Sequence, residues 1–144
     1  MREILFRGKR LDNGEWVEGF LIHDEFCNTF IPYIGYLMGD DTDVTEVIPA
    51  TVGQYTGLTD KNGKKIFEGD IVKTHYANAP KCDFVETVVF HNGKFCALTN
   101  NGGGKQWAPL WDGVPHVHFD KSVYMDSVEV IGNIHDKPEL LEVY

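Results

Sequence analysis

Two β-rich runs, residues 84–90 and 94–99, flank the dipeptide Asn92-Gly93, and this arrangement constrains the fold more than any other feature of the sequence. Valine, threonine and phenylalanine favour extended backbone. Asn-Gly favours a two-residue type I′ turn, because both of its residues tolerate positive φ. The pattern therefore predicts a β-hairpin.

The N-terminus shows a second hairpin pattern. Ile4 and Phe6 alternate with Glu3 and Arg7, which is the period of a half-buried strand. The polar turn 12–14 follows, and the apolar residues of 16–22 then predict the returning strand.

Further short runs are separated by Gly, Pro, Asp or Asn and are too brief for independent helices. They are residues 30–36, 44–48, 54–58, 70–76 and 128–134. The sequence therefore predicts a mainly β fold, a small antiparallel barrel or sandwich that is SH3-like or related. The kinks at Gly63 and Gly69 are expected to turn its corners.

The rest of the sequence predicts a loop, a short helix and a single domain. Residues 100–115 are rich in glycine and proline and predict a long exposed loop. Asp136 is placed to cap a short C-terminal helix that tolerates Pro138 in its first turn. The length of 144 residues is typical of one domain, so residues 1–144 are expected to form one.

Charge and composition limit the cellular locations and the binding partners that this chain is expected to have. The net charge is −9, and Leu11 to Asp60 contains ten carboxylates and no Lys or Arg. Such a region repels phosphate backbones and disfavours nucleic-acid binding through that face. The simpler and preferred explanation of the charge is a solvated acidic surface that keeps the protein soluble. No apolar run approaches the roughly 20 residues that span a bilayer, and the N-terminus lacks a signal-peptide pattern. A cytoplasmic protein without membrane contact is therefore expected.

The cysteines predict no disulfide framework. Cys27, Cys82 and Cys96 are odd in number and contain no Cys-x-x-Cys pair, which predicts free, buried thiols.

Three segments together resemble a known family. They are Arg2-Glu3-Ile4 with Phe6-Arg7-Gly8, the central run from Gln54 to Val72, and Val130-Ile131-Gly132-Asn133-Ile134 before Pro138-Glu139-Leu140-Leu141. In this order they are similar to the YopX family of bacteriophage and prophage proteins. The resemblance implies a mostly β fold, a phage or prophage origin and a location in the bacterial cytoplasm, and it implies no activity, catalytic residue or cofactor.

One segment has the composition of a metal site. His116, His118 and Asp120 would project to one face of a strand, and imidazole and carboxylate are zinc ligands. The alternative is a chance His-x-His pair in a loop. Elsewhere Glu68-Gly69-Asp70 pairs two carboxylates, for which a structural role at the kink is preferred to acid/base chemistry. No catalytic or cofactor-binding residue is identified.

Large apolar side chains in the predicted loop are candidates for an interface. Trp107, Trp111 and Phe119 either seal one end of the core or contact another subunit. The leading hypothesis is a non-enzymatic accessory protein that binds protein and self-associates. The alternatives are a metal-dependent hydrolase and a small-barrel nucleic-acid-binding protein, for which the candidate cations are Arg2, Arg7, Lys9, Arg10, Lys61, Lys64 and Lys65.

Overall fold

A computed structural model describes residues 1–26, 29–76, 83–101, 104–110, 116–117 and 124–142. Most of the residues within these ranges lie in strands. They are β1 (Phe6–Lys9), β2 (Trp16–Phe26), β3 (Thr29–Met38), β4 (Asp41–Glu46), β5 (Gly53–Thr59), β6 (Lys65–Phe67), β7 (Asp70–Tyr76), β8 (Phe84–His91), β9 (Lys94–Asn101), β10 (Gly104–Pro109), β11 (His116–Val117) and β12 (Tyr124–Asn133).

The strands form two six-stranded sheets, whose registered strand pairs are all antiparallel. The order of the first sheet is β4-β3-β2-β1-β5-β6, and that of the second is β10-β9-β8-β7-β12-β11. The chain divides into two compact units, Met1–Gly57 and Leu58–Tyr144. The predicted mainly β fold is confirmed, whereas the single domain over residues 1–144 stays a prediction.

The first unit has its core on one side of β2, β3 and β4. Ile34, Pro32 and Val47 are almost completely buried there. The predicted N-terminal hairpin is confirmed, since β1 pairs with β2 from Phe6 opposite Gly19 to Lys9 opposite Trp16.

The second unit has its core around β7, β8, β9 and β12. Its buried cluster is apolar and comprises Ile66, Val72, Val88, Ala97, Leu110 and Val128. Ile71 and Cys96, which point to the opposite side of this sheet, are also buried, so the central strands are buried on both faces. The prediction of a buried thiol is confirmed for Cys96, while Cys27 and Cys82 lie outside the described residues.

The hairpin predicted around Asn92-Gly93 is confirmed with its turn type. His91 pairs with Lys94, and the two residues between them have φ of 50° and 77°. Positive φ at both positions defines the type I′ turn, whose twist matches that of the strands.

Of the two predicted alternatives, the barrel is wrong, because each of the two described sheets is open and has two separate edge strands. Gly69, with φ of 86°, lies between β6 of the first sheet and β7 of the second. The kink therefore passes the chain from one sheet to the next, instead of bending one sheet until it closes.

Two other local predictions are corrected. The C-terminal helix is a four-residue 3-10 turn, Pro138–Leu141, whose N-cap is Lys137 without a side-chain hydrogen bond. The Asp136 carboxylate instead accepts a hydrogen bond of 3.1 Å from Asn133. The long loop predicted over 100–115 is interrupted by β10, in which Trp107 lies opposite Leu98 of β9. β10 is an edge strand, where Pro109 is tolerated because it has no backbone N–H to donate to a neighbouring strand.

Candidate functional site

The most distinctive surface among the described residues is one side of the three strands β2, β3 and β4, here called the ribbon face. Side chains alternate between the two sides of a strand, and the register therefore decides which residues share this face. Phe20, Gly35 and Val44 form one row across the three strands, and Ile22, Tyr33 and Glu46 form the next.

The ribbon face is apolar and meets solvent. The exposed fraction is 76% for Leu37 and 46% for both Phe20 and Val44. Ile22 is also exposed, and Ile31 and Tyr33 are half-buried beside it. Contiguous exposed apolar side chains are unusual on a monomer and mark surfaces that contact other molecules.

Two glycines explain how this face is built. Gly35 has no side chain, and the ring of Phe20 occupies the place where a Cβ would lie. On β2, a Cβ at Gly19 would meet the backbone carbonyl of Gly35. The glycines thus let β2 and β3 approach closely and let the Phe20 ring lie over Gly35.

Carboxylates surround the apolar residues. Glu46 lies beside Tyr33 in its row, Asp24 lies opposite Ile31, and Glu18 precedes Phe20 on the same side of β2. All three side chains are exposed. No Lys or Arg occurs between Leu11 and Asp60, so strands β2 to β4 present carboxylates as their only permanently charged groups.

The outer edge of β4 carries a further acidic group in a defined geometry. Asp43 accepts hydrogen bonds from the Val44 amide at 2.8 Å and from the Tyr36 hydroxyl at 3.1 Å. Burial and the neighbouring Asp43 both raise the pKa of Tyr36. Because the Val44 amide is satisfied by its neighbour's side chain, the edge is blunted against pairing with another strand.

Three basic residues of the N-terminal region, Arg7, Lys9 and Arg10, contact other side chains of the same region. The Arg7 guanidinium lies 4.7 Å from the centre of the Trp16 ring, and the Lys9 ammonium lies 5.7 Å from it. Arg10 forms a 2.9 Å ion pair with Asp12, and its hydrogen bond to that carboxylate holds the Asp12 pKa below its usual range.

Lys61 is also paired, with Glu129 at 3.3 Å. These contacts engage several of the cations that a phosphate backbone would need, which counts against the nucleic-acid alternative.

Buried carboxylates in the second unit serve the fold. Asp70 accepts a 2.8 Å hydrogen bond from the Phe67 amide across the Gly69 kink, which supports the structural interpretation of Glu68-Gly69-Asp70. Glu86 lies between two threonines and accepts a hydrogen bond of 2.9 Å from each, Thr74 on β7 and Thr99 on β9. Both are held by local donors within a packed sheet.

A histidine and an aspartate pair at the end of β7. His75 Nδ1 lies 2.9 Å from a carboxylate oxygen of Asp83, whose other oxygen accepts from the Tyr76 amide at 3.0 Å. Burial acts to raise the pKa of Asp83, but the hydrogen bonds from His75 and Tyr76 prevail and lower it. The carboxylate therefore stays ionised and anchors the end of the strand.

Most residues proposed from the sequence as site residues lie outside the described part of the chain. Trp111, Phe119, His118 and Asp120 are among them. The structure places only the backbone of His116, opposite Met125 on β12, and that of Trp107, opposite Leu98. Within the described ranges no cluster of three or more His, Cys, Asp or Glu side chains is arranged to hold a metal ion. The metal site and the tryptophan interface stay predictions.

Sequence reasoning missed the ribbon face. It counted Phe20 and Ile22 as apolar residues of a strand without separating the faces. The available signal was the run Phe20-Leu21-Ile22, because consecutive apolar residues on a strand place apolar side chains on both sides. Only the pairing with β3 shows that Ile34 and Pro32 lie on the core side.

The fold and the ribbon face define a small all-β protein with two open sheets and an exposed apolar surface. Among the described residues no helix is long and apolar enough to cross a bilayer. A family model described as YopX protein matches residues 5–142. The chain therefore belongs to the YopX family.

The chain is also similar to solved structures. A crystal structure of protein EF1440 from Enterococcus faecalis is similar to the chain, with 23% sequence identity and a TM-score of 0.45, over 98% of this chain and 99% of that one. No curated protein matches the chain.

Proposed function

We propose that this chain is a non-enzymatic accessory protein of phage or prophage origin that acts in the bacterial cytoplasm by binding other protein. The observation that carries the proposal is the ribbon face, where Leu37, Phe20 and Val44 are exposed side by side. Leaving such side chains in water costs free energy that contact with a protein partner recovers, at about 25 cal/mol per Å² of apolar area. Family membership supports the phage or prophage origin.

The chemistry of the face favours protein over other partners. Its carboxylates repel nucleic-acid phosphates and anionic lipid surfaces alike. A three-stranded face with exposed apolar side chains bordered by carboxylates resembles the apolar centre and polar rim of protein interfaces. Self-association is the second part of the proposal, and Trp107, Trp111 and Phe119 remain its candidate residues.

Site-specific photo-crosslinking in bacterial cells tests partner binding. The crosslinker p-benzoylphenylalanine replaces Leu37 in one sample and Phe90 in the control, since Phe90 is 56% exposed but lies on β8. Discrete protein adducts are expected at position 37 and weak or diffuse ones at position 90. Equal adduct patterns at both positions would remove the support that the ribbon face gives to the proposal.

Sedimentation equilibrium tests self-association separately. The full chain is compared with a Trp107→Ala, Trp111→Ala double variant over a wide range of concentration. A dimer or larger species that the double variant loses would support the tryptophan interface. A monomer at every concentration would exclude self-association and leave the ribbon face as the binding surface.

A further inference from the structure

We infer that the occupant of the ribbon face is a segment of a different protein that combines apolar side chains with Lys or Arg residues. This inference rests on the proposed function and specifies its partner by chemistry. The apolar row Phe20-Gly35-Val44 and the carboxylates beside it set the two requirements that such a segment must meet.

The apolar part of the face defines the first requirement. Leu37 and Phe20 project from adjacent strands, and Ile22 continues the apolar strip along β2. The Phe20 ring lies over Gly35, so the strip has no deep pocket at this point. A partner therefore gains most by laying a row of apolar side chains along the strip, rather than by inserting one anchor.

The charges define the second requirement. Asp24 and Glu46 are exposed beside the strip, and β2 to β4 carry no Lys or Arg to pair with them. Glu18 is also exposed, but it lies opposite Arg7 of β1. The nearest cations on the same side of the sheet, Arg7 and Lys9, lie on β1 against the Trp16 ring. Basic residues of a partner would thus meet carboxylates without a competing cation from β2 to β4, and like charges would be rejected.

The same charges argue against a second copy as the occupant. Two ribbon faces in contact would bring both sets of carboxylates together, and neither face supplies a cation. Antiparallel pairing of two β4 edges centred on Thr42 would likewise place Asp41 of each copy opposite Asp43 of the other, and the Val44 amide is already satisfied by Asp43. A basic partner meets neither obstacle.

Peptide binding to the full-length protein tests the inference. Three fluorescent peptides of about ten residues, the length of a long strand, are compared by anisotropy: alternating Lys-Leu, alternating Lys-Ser and alternating Glu-Leu. We expect the Lys-Leu peptide to bind tightest and to weaken as salt is raised. Leu37→Ser should weaken its binding about tenfold and Glu46→Gln about threefold.

Matched controls separate the face from general acidity. Phe90→Ser removes an exposed apolar side chain, and Glu139→Gln removes an exposed carboxylate, both in the second unit. Neither should change the affinity by more than about twofold. Because Leu37 and Glu46 are themselves exposed, their variants should fold, which circular dichroism verifies.

The possible outcomes distinguish this inference from the proposed function. If Lys-Ser binds as tightly as Lys-Leu, or if Leu37→Ser has no effect, the inference is overturned. If Glu-Leu binds equally well and depends on Leu37, or if sedimentation shows a dimer that Leu37→Ser dissociates, the face binds protein but the basic partner is wrong. If no peptide binds in a way that depends on Leu37, this inference fails. The proposed function fails as well only if position 37 also gives no discrete photo-crosslinked adducts.

Discussion

The carboxylate of Asp60 accepts a 3.0 Å hydrogen bond from the backbone amide of Val130, which lies 70 residues further along the chain. Its other oxygen accepts from the amides of Asn62 and Lys64, each at 2.9 Å, and so holds the turn between β5 and β6. One side chain therefore fixes a local turn and ties it to β12. The pattern Asp60-Lys61-Asn62-Gly63 predicts the turn but not the partner on β12.

We predict that Asp60→Asn destabilises the protein by about 2 kcal/mol, because the substituted amide cannot accept from all three backbone donors. Chemical denaturation measures the change. Asp12→Asn is the matched control, since that carboxylate is exposed and its ion pair is with Arg10, two residues away. A loss for Asp60→Asn no larger than that of the control would contradict the structural role.

The same residue predicts a pH dependence. Burial acts to raise the Asp60 pKa, but the hydrogen bonds from Val130, Lys64 and Asn62 outweigh it and lower the pKa in the folded state. A lowered folded pKa contributes stability above the unfolded value of about 3.9 and loses it as pH falls through the folded value. The free energy of unfolding should thus fall below about pH 4, and less steeply in Asp60→Asn.

Glu86 provides a second prediction, because it is buried between hydroxyl donors on two neighbouring strands. Glu86→Ala leaves the hydroxyls of Thr74 and Thr99 without their acceptor and opens a cavity, so we expect a loss of about 3 kcal/mol. Glu86→Gln keeps the shape and part of the hydrogen bonding and should cost about 1 kcal/mol. Thermal unfolding of both variants checks the order, and equal losses would show that the carboxylate's hydrogen bonds do not matter.

The two glycines of the ribbon predict unequal effects of one added methyl group. Gly19→Ala would place its Cβ against the backbone oxygen of Gly35, which cannot move without disturbing the sheet, and should cost about 3 kcal/mol. Gly35→Ala meets only the exposed Phe20 ring, which can rotate away, and should cost about 1 kcal/mol. Denaturation midpoints of the two variants test this order, and the reverse order would contradict the close approach of β2 and β3.

In the β8–β9 turn, a substitution of Gly93 should lower stability through backbone strain and not through a change in packing. Gly93 has φ of 77°, and nothing lies near the position of an added Cβ. Gly93→Ala should therefore cost about 1 kcal/mol through left-handed backbone strain alone. Asn92→Gly serves as the control, since it keeps φ of 50° accessible and should be nearly neutral. Unfolding curves that fail to separate the two variants would contradict the type I′ turn.

The amino-acid sequence by itself determined the turns and the strands beside them. Asn92-Gly93 specified its turn type because positive φ is a local property of those two residues. The range predicted for β7 is the one observed, since its apolar residues lie between clear turn signals. Family membership was likewise readable from three short motifs, near the two ends and in the centre of the chain, because each is a local run of residues.

Tertiary structure alone decided which side chains are buried, because burial depends on strand pairing over long distances. In β8 the charged Glu86 is 7% exposed and the apolar Phe90 is 56% exposed, the opposite of what hydropathy indicates. Glu86 is tolerated inside because β7 and β9 bring threonine hydroxyls to it, and Phe90 lies at the hairpin end beyond the core. The ribbon face arose in the same way: the sequence supplied Phe20 and Leu37, but only the pairing of β2, β3 and β4 brought them to one exposed side.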